Sequence, residues 1–172
     1  VDTSELIKQH AEMTEEMGVI RGLLALPISS SLASNIGQRL DVLAASLGLH
    51  LSLEDRDFYP ASLLSSDENL RTMAERFFVE MGHLRRAFGN YRESWKSDKA
   101  IQERFRLFTD DTQRVFALIE KRVRLEEEQL YPLWAASTLS SPETSAGPTK
   151  VNQDPEVPYF HVINTHRYRM KA

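Results

Sequence analysis

Apolar residues recur every three or four positions through nearly all of residues 1–137, and this period constrains the fold more than any other feature of the chain. It is the repeat of one buried face of an α-helix. Residues 4–25 place Leu6, Ile7, Met13, Met17, Ile20, Leu23 and Leu24 on one stripe, with Thr3 or Ser4 to cap its start and Pro27 beyond its end. After the loop Pro27-Ile28-Ser29-Ser30-Ser31, a second helix is predicted from about 31 into the sixties. Leu32, Ile36, Leu40, Leu43, Leu47 and His50 lie on its face, and Glu54 and Phe58 continue it. Ser65-Ser66-Asp67 offers cap residues for a third helix over about 68–95, with Leu70, Met73, Phe77, Met81, Leu84 and Phe88 on its buried side. Ser97-Asp98 recaps the chain for a fourth over about 98–137, where Asp110-Asp111-Thr112 is the expected bend. No segment alternates as a strand does. Four long amphipathic helices with short connections predict an all-α, antiparallel up-down-up-down four-helix bundle over residues 1–137. Helices two and four then run in one direction, and helices one and three run against them.

Beyond Ser137 the composition changes. Residues 138–158 are rich in Ser, Thr, Pro, Gly and Glu and read as a disordered linker. Residues 159–171 are aromatic and basic and read as a C-terminal tail. The chain has no cysteine, which excludes disulfides, thiolate zinc sites and Cys-ligated clusters. A net charge of −4 argues against a nucleic-acid partner. No apolar run reaches about 18 residues, so no membrane partner is expected. The acidic start Val1-Asp2-Thr3-Ser4-Glu5 lacks a signal-peptide pattern, and the expected location is cytoplasmic. Five histidines remain for unusual chemistry.

Two segments repeat. His50-Leu51-Ser52-Leu53-Glu54-Asp55-Arg56-Asp57-Phe58-Tyr59-Pro60 aligns with Arg122-Val123-Arg124-Leu125-Glu126-Glu127-Glu128-Gln129-Leu130-Tyr131-Pro132. The copies fall on helices two and four, so both sit at one height in the bundle. Metal sites in bundle cores are built from such a shared layer. His50 and Glu54, four residues apart, point from one helical face and can coordinate a metal. Glu126 stands where Glu54 does. His10 on helix one and His83 on helix three can reach the same level. At ~1.5 Å per residue, His50 and His83 are each about 23 Å from the turn that joins their helices. Tyr59 and Tyr131 either pack near helix ends or donate hydrogen bonds to the ligands, and Pro60 and Pro132 kink or end their helices.

Over about residues 4–137 the chain resembles the hemerythrin-like (HHE cation-binding) domains. The resemblance is carried by His10, by His50 and Glu54 with Phe58-Tyr59-Pro60, by His83, and by Glu126 with Leu130-Tyr131-Pro132. It implies a non-haem iron site, one or two ions, with His10, His50, Glu54, His83 and Glu126 as ligands and the two glutamates as bridges. It also implies a role in sensing or handling dioxygen, nitric oxide or iron.

One position departs from the family pattern. Arg122 stands where a second His-x-x-x-Glu pair would have its histidine. A guanidinium stays protonated and has no lone pair for a cation. The site then holds one metal rather than two, or recruits a substitute ligand, or is metal-free with an Arg–Glu network in its place. The substitutes at hand are Glu80, Glu127, Glu12, Glu15 and Glu16, with His161 and His166 in the tail. The functional alternatives are a metal-free helical interaction module and a di-iron enzyme of iron–sulfur repair.

Overall fold

The computed structural model describes residues 1–139. Among them the chain forms α1 (Ser4–Leu24), α2 (Ser30–Leu53), α3 (Tyr59–Leu63), α4 (Glu68–Ser94), α5 (Asp98–Glu103), α6 (Phe105–Leu125) and α7 (Tyr131–Leu139), with no strand. One π-helical turn, Glu54–Phe58, joins α2 to α3, and another, Glu126–Leu130, joins α6 to α7. The expected linker and tail lie outside the described residues, apart from Thr138 and Leu139, which still belong to α7.

The caps lie close to where the small polar clusters predicted them. Ser29 Oγ accepts from Leu32 N, Asp67 Oδ1 accepts from Asn69 N and Leu70 N, and Ser97 Oγ accepts from Ala100 N. Each satisfies amide donors that a helix start leaves without partners. At α1 neither Thr3 nor Ser4 caps through its side chain; Asp2 Oδ1 accepts from Ser4 N instead, at 2.8 Å. The break in the last long element is at Arg104, between α5 and α6, and not at Asp110–Thr112. Thr112 is buried and its hydroxyl bonds back to Phe108 O, so that stretch stays helical.

Both π turns have the same local cause. Pro60 and Pro132 have no amide hydrogen to give to the carbonyls four residues back. The preceding tyrosines bond five residues back, Tyr59 N to Glu54 O and Tyr131 N to Glu126 O. The wider turn rotates the chain so that Glu54, Phe58 and Tyr59 all face inward, as do Glu126, Leu130 and Tyr131.

Cross-helix pairs give the relative directions. Glu16 meets Arg39 while His10 meets His50, so α1 and α2 are antiparallel. Asp41 meets Arg92 while Asp55 meets Arg85, so α2 and α4 are antiparallel. Tyr91 meets Thr112 while Phe77 meets Arg122, so α4 opposes α6. The two copies of the repeat therefore lie on helices that run the same way.

The core has two apolar parts. One runs from Met13, Met17, Ile36 and Leu40 to Phe108, Phe116 and Trp95. The other gathers Leu6, Phe58, Tyr59, Leu70, Phe77, Leu130 and Tyr131. Between Leu6 and Met13 on α1, and between Leu47 and Phe58 along α2, the buried stripe passes through His10, His50 and Glu54. A polar layer thus separates the two apolar parts. Its buried ionisable side chains require partners or a bound ion, since an unpaired buried charge is costly.

Candidate metal centre

The layer is built from α1, α2, α6 and the two π turns. His10, His50, Glu54 and Glu126 are each at most 2% exposed. His10, His50 and Glu126 offer ligand atoms that lie within 4.8 Å of one another. His10 Nε2 is 3.2 Å from His50 Nε2 and 3.2 Å from Glu126 Oε2. Glu54 Oε2 approaches from the side of His50, at 3.7 Å from its Nε2.

The outward atoms of this set are fixed by hydrogen bonds. His10 Nδ1 donates to Glu127 Oε1 at 2.9 Å, and His50 Nδ1 donates to Gln9 Oε1 at 3.2 Å. Both acceptors take a proton from the ring, so an imidazole of this pair, when neutral, presents its Nε2 lone pair inward. Tyr131 donates its hydroxyl to Glu54 Oε1 at 3.2 Å, and Arg122 donates Nε–H to Glu126 Oε1. This leaves Glu54 Oε2 and Glu126 Oε2 buried with no hydrogen-bond partner. Two imidazole Nε2 atoms and two carboxylate oxygens therefore face one another in the core. Such a set can be held together by a shared proton or by a cation. Two nitrogens and two oxygens suit iron, zinc or another first-row divalent metal.

The electrostatics point the same way. Burial and the neighbouring His10 push the His50 imidazole down to about 4, so it is neutral and available as a ligand near neutral pH. Burial, then the charge of Glu126, hold the Glu54 carboxyl well above the usual carboxylate range. Burial acts on Glu126 in the same direction, but His10 and Arg122 outweigh it and leave Glu126 below its ordinary value. Glu54 therefore holds a proton more tightly than Glu126, and a dication bound between them would compete with that proton.

Arg122 fills the other half of the layer. It is 7% exposed, and points inward rather than to solvent. Nη1 donates to Phe77 O at 3.1 Å, Nη2 donates to the Tyr59 hydroxyl, and the guanidinium carbon lies 4.4 Å from the Phe77 ring centroid. Glu80 Oε2 lies 3.9 Å from Nη1 and is half exposed. The two tyrosines of the repeat exchange partners: Tyr59 of the first copy serves Arg122 of the second, and Tyr131 of the second serves Glu54 of the first.

The expectation for His83 is corrected. His83 is exposed on α4 and belongs to no ligand cluster among the described residues. Its level was close, since Arg85 two residues on reaches Leu51 O and Asp55. Its rotation about the helix axis was not. The buried residues of α4 are Leu70, Ala74, Phe77, Met81, Leu84, Phe88 and Tyr91. His83 lies off that stripe, adjacent to Leu84, and α4 brings Phe77 to the layer instead. Glu80 stays at the surface as a partner of Arg122 and is no substitute ligand. Glu127 takes part through the outer side of His10, while His161 and His166 lie outside the described residues. Gln9 carried no signal in the sequence, because it sits beside His10 rather than at a helical repeat from it.

Neither a curated protein nor a solved structure is significantly similar to the chain. A sequence model of the hemerythrin HHE cation binding domain matches residues 1–134, which span all of the layer. The chain belongs to the hemerythrin HHE cation-binding family.

Proposed function

We propose that the protein is a non-haem iron-binding domain that holds one ferrous ion and senses or handles dioxygen, nitric oxide or the iron itself. The observation that carries the proposal is the convergence of His10 Nε2, His50 Nε2, Glu54 Oε2 and Glu126 Oε2 on one buried layer. Family membership supports cation binding. When bound, a ferrous ion supplies open coordination positions for a small diatomic ligand. The chain's own residues set the terms. Gln9 and Glu127 orient the two imidazoles, Tyr131 orients Glu54, and the two apolar parts of the core above and below keep water away. Arg122 occupies the place of a further ligand with a cation of its own, which favours a mononuclear over a di-iron site and disfavours a di-iron enzyme. A cytoplasmic setting, where iron is available in its ferrous form, belongs to the same proposal.

The test is anaerobic loading with Fe(II), removal of excess, and metal analysis, followed by nitric oxide and electron paramagnetic resonance. One iron per chain, lost in His10→Ala and His50→Ala, is the expected result. No retained iron in the wild type refutes the proposal.

A second reading is favoured by one observation, the buried Arg122–Glu126 pair. On it the bundle has lost its metal and serves as a helical interaction module. Stability unchanged by chelator and by added divalent ions would favour that reading, because a bound ion stabilises the folded state.

A further inference from the structure

Arg122 does more than leave a ligand position vacant. Its charge is permanent, since a guanidinium does not lose its proton in proteins. It is also immobile: Glu126 Oε1, the Phe77 carbonyl, the Tyr59 hydroxyl and the Phe77 ring hold it from four sides. It binds one oxygen of the same carboxylate whose other oxygen faces the histidines. Any ion in the layer therefore shares Glu126 with a fixed positive charge.

The formal charges show what this selects. With both carboxyls ionised, Glu54 and Glu126 carry two negative charges and Arg122 one positive, while an imidazole that gives its Nε2 lone pair to an ion is neutral. The layer presents a single net negative charge to an incoming ion. A divalent ion leaves one surplus positive charge in the core, and a trivalent ion leaves two. Each surplus charge is costly where water is excluded, and the second is added against Arg122. The charged groups that face the layer from outside it offset this only in part. Glu127 is at the rim on His10, and Glu80 is half exposed and 3.9 Å from Arg122.

We propose that Arg122 is a built-in selector of ion charge, which favours a divalent over a trivalent ion and holds bound iron in the ferrous state. The proposal rests on the metal-binding reading given above. For a unit charge at roughly 7 Å and an effective dielectric of about 20, Coulomb's law gives a preference of between ten- and a hundredfold. Arg122 is a positioning and tuning residue here and does not itself touch the ion.

The experiment is a one-electron titration of the Fe(II)-loaded protein with soluble mediators, read by electron paramagnetic resonance. The variants are Arg122→Gln, Arg122→Lys and Glu80→Gln. Arg122→Gln is expected to raise the ferric-to-ferrous ratio at a fixed potential at least tenfold, a fall in midpoint of about 59 mV. Arg122→Lys keeps the charge and is expected to stay within threefold of wild type. Glu80→Gln removes the surface anion that offsets Arg122, so it should move the ratio the opposite way, toward ferrous iron. Its side chain is half exposed, so this variant keeps the test alive if Arg122→Gln does not fold. A ratio within twofold of wild type in Arg122→Gln, or in Glu80→Gln where Arg122→Gln does not fold, with iron bound, overturns the selector role and leaves the metal-binding reading intact. A wild type that retains no iron overturns that reading, and the selector role falls with it.

Discussion

Replacing Arg122 by methionine in the metal-free protein should be among the most destabilising single changes in this chain. The side chain lengths are similar, so no large cavity opens. What is lost is polar. Glu126, with its side chain 1% exposed, keeps a charge with no cation beside it, and the Phe77 carbonyl and Tyr59 hydroxyl lose a donor. Breaking a buried ion pair from one side costs about 3–5 kcal/mol. Against a typical total of about 5–15 kcal/mol, that is a large share. The removal of a buried guanidinium returns some of its desolvation energy, so the expected loss lies at the lower end, near 3 kcal/mol. The double variant Arg122→Met/Glu126→Gln removes both charges and should recover at least about 1–2 kcal/mol relative to the sum of the singles. The assay is urea denaturation with chelator present, followed by helical circular dichroism. Added divalent metal should shrink the cost of Arg122→Met, because the ion takes over neutralisation of Glu126. A single-variant loss below about 1 kcal/mol, with additive behaviour in the double variant, would mean that the pair is not coupled in the core.

Other outcomes follow from the same geometry. His83→Ala should leave iron stoichiometry unchanged and shift stability by no more than about 0.5 kcal/mol, as for other exposed substitutions; loss of iron in this variant would return His83 to the ligand set. Asp67→Ala removes the acceptor for two amides at the start of α4 and should cost about 1 kcal/mol by thermal or urea unfolding. The imidazole of His50, held at about 4 in the fold against 6.5 when unfolded, takes up a proton less readily than in the unfolded chain. The unfolded state binds more protons between these values, so the stability that neutral His50 contributes is present above pH 6.5 and lost as the pH falls to about 4. The loss amounts to about 3 kcal/mol at 1.36 kcal/mol per unit. Glu54 acts the other way, since its raised value gives stability that is lost as pH rises. The His50 effect should therefore emerge most clearly in metal-free Glu54→Gln, as a stability that falls on acidification from pH 6.5 to 4.

Much of the molecule was legible in the residues. The three- and four-residue apolar period placed the long helices, because burial of one stripe is what stabilises a helix in a bundle. The serine and aspartate clusters located three of the helix starts. The repeat found Glu54 and Glu126 together, since equivalent positions on two helices that run the same way share a level. His10 and His50 were also within reach of spacing arguments. Rotation was less secure than level: one residue turns a helical side chain by about 100°, so His83 could match the height of the layer and still face solvent. The π turns were not foreseen, although their cause, a proline after each tyrosine, was in plain view.

By itself the sequence determined that residues 1–137 form an all-α bundle with a nitrogen-and-oxygen layer and an arginine in place of one histidine. Only the tertiary structure decided that Arg122 points inward, that Phe77 rather than a histidine comes from α4, and that Gln9 and Glu127 turn both imidazole lone pairs toward Glu54 and Glu126. Those outcomes depend on which side chains meet across helices distant in sequence. Helical periodicity fixes what each helix buries, and the packing of the helices fixes what the buried groups find there.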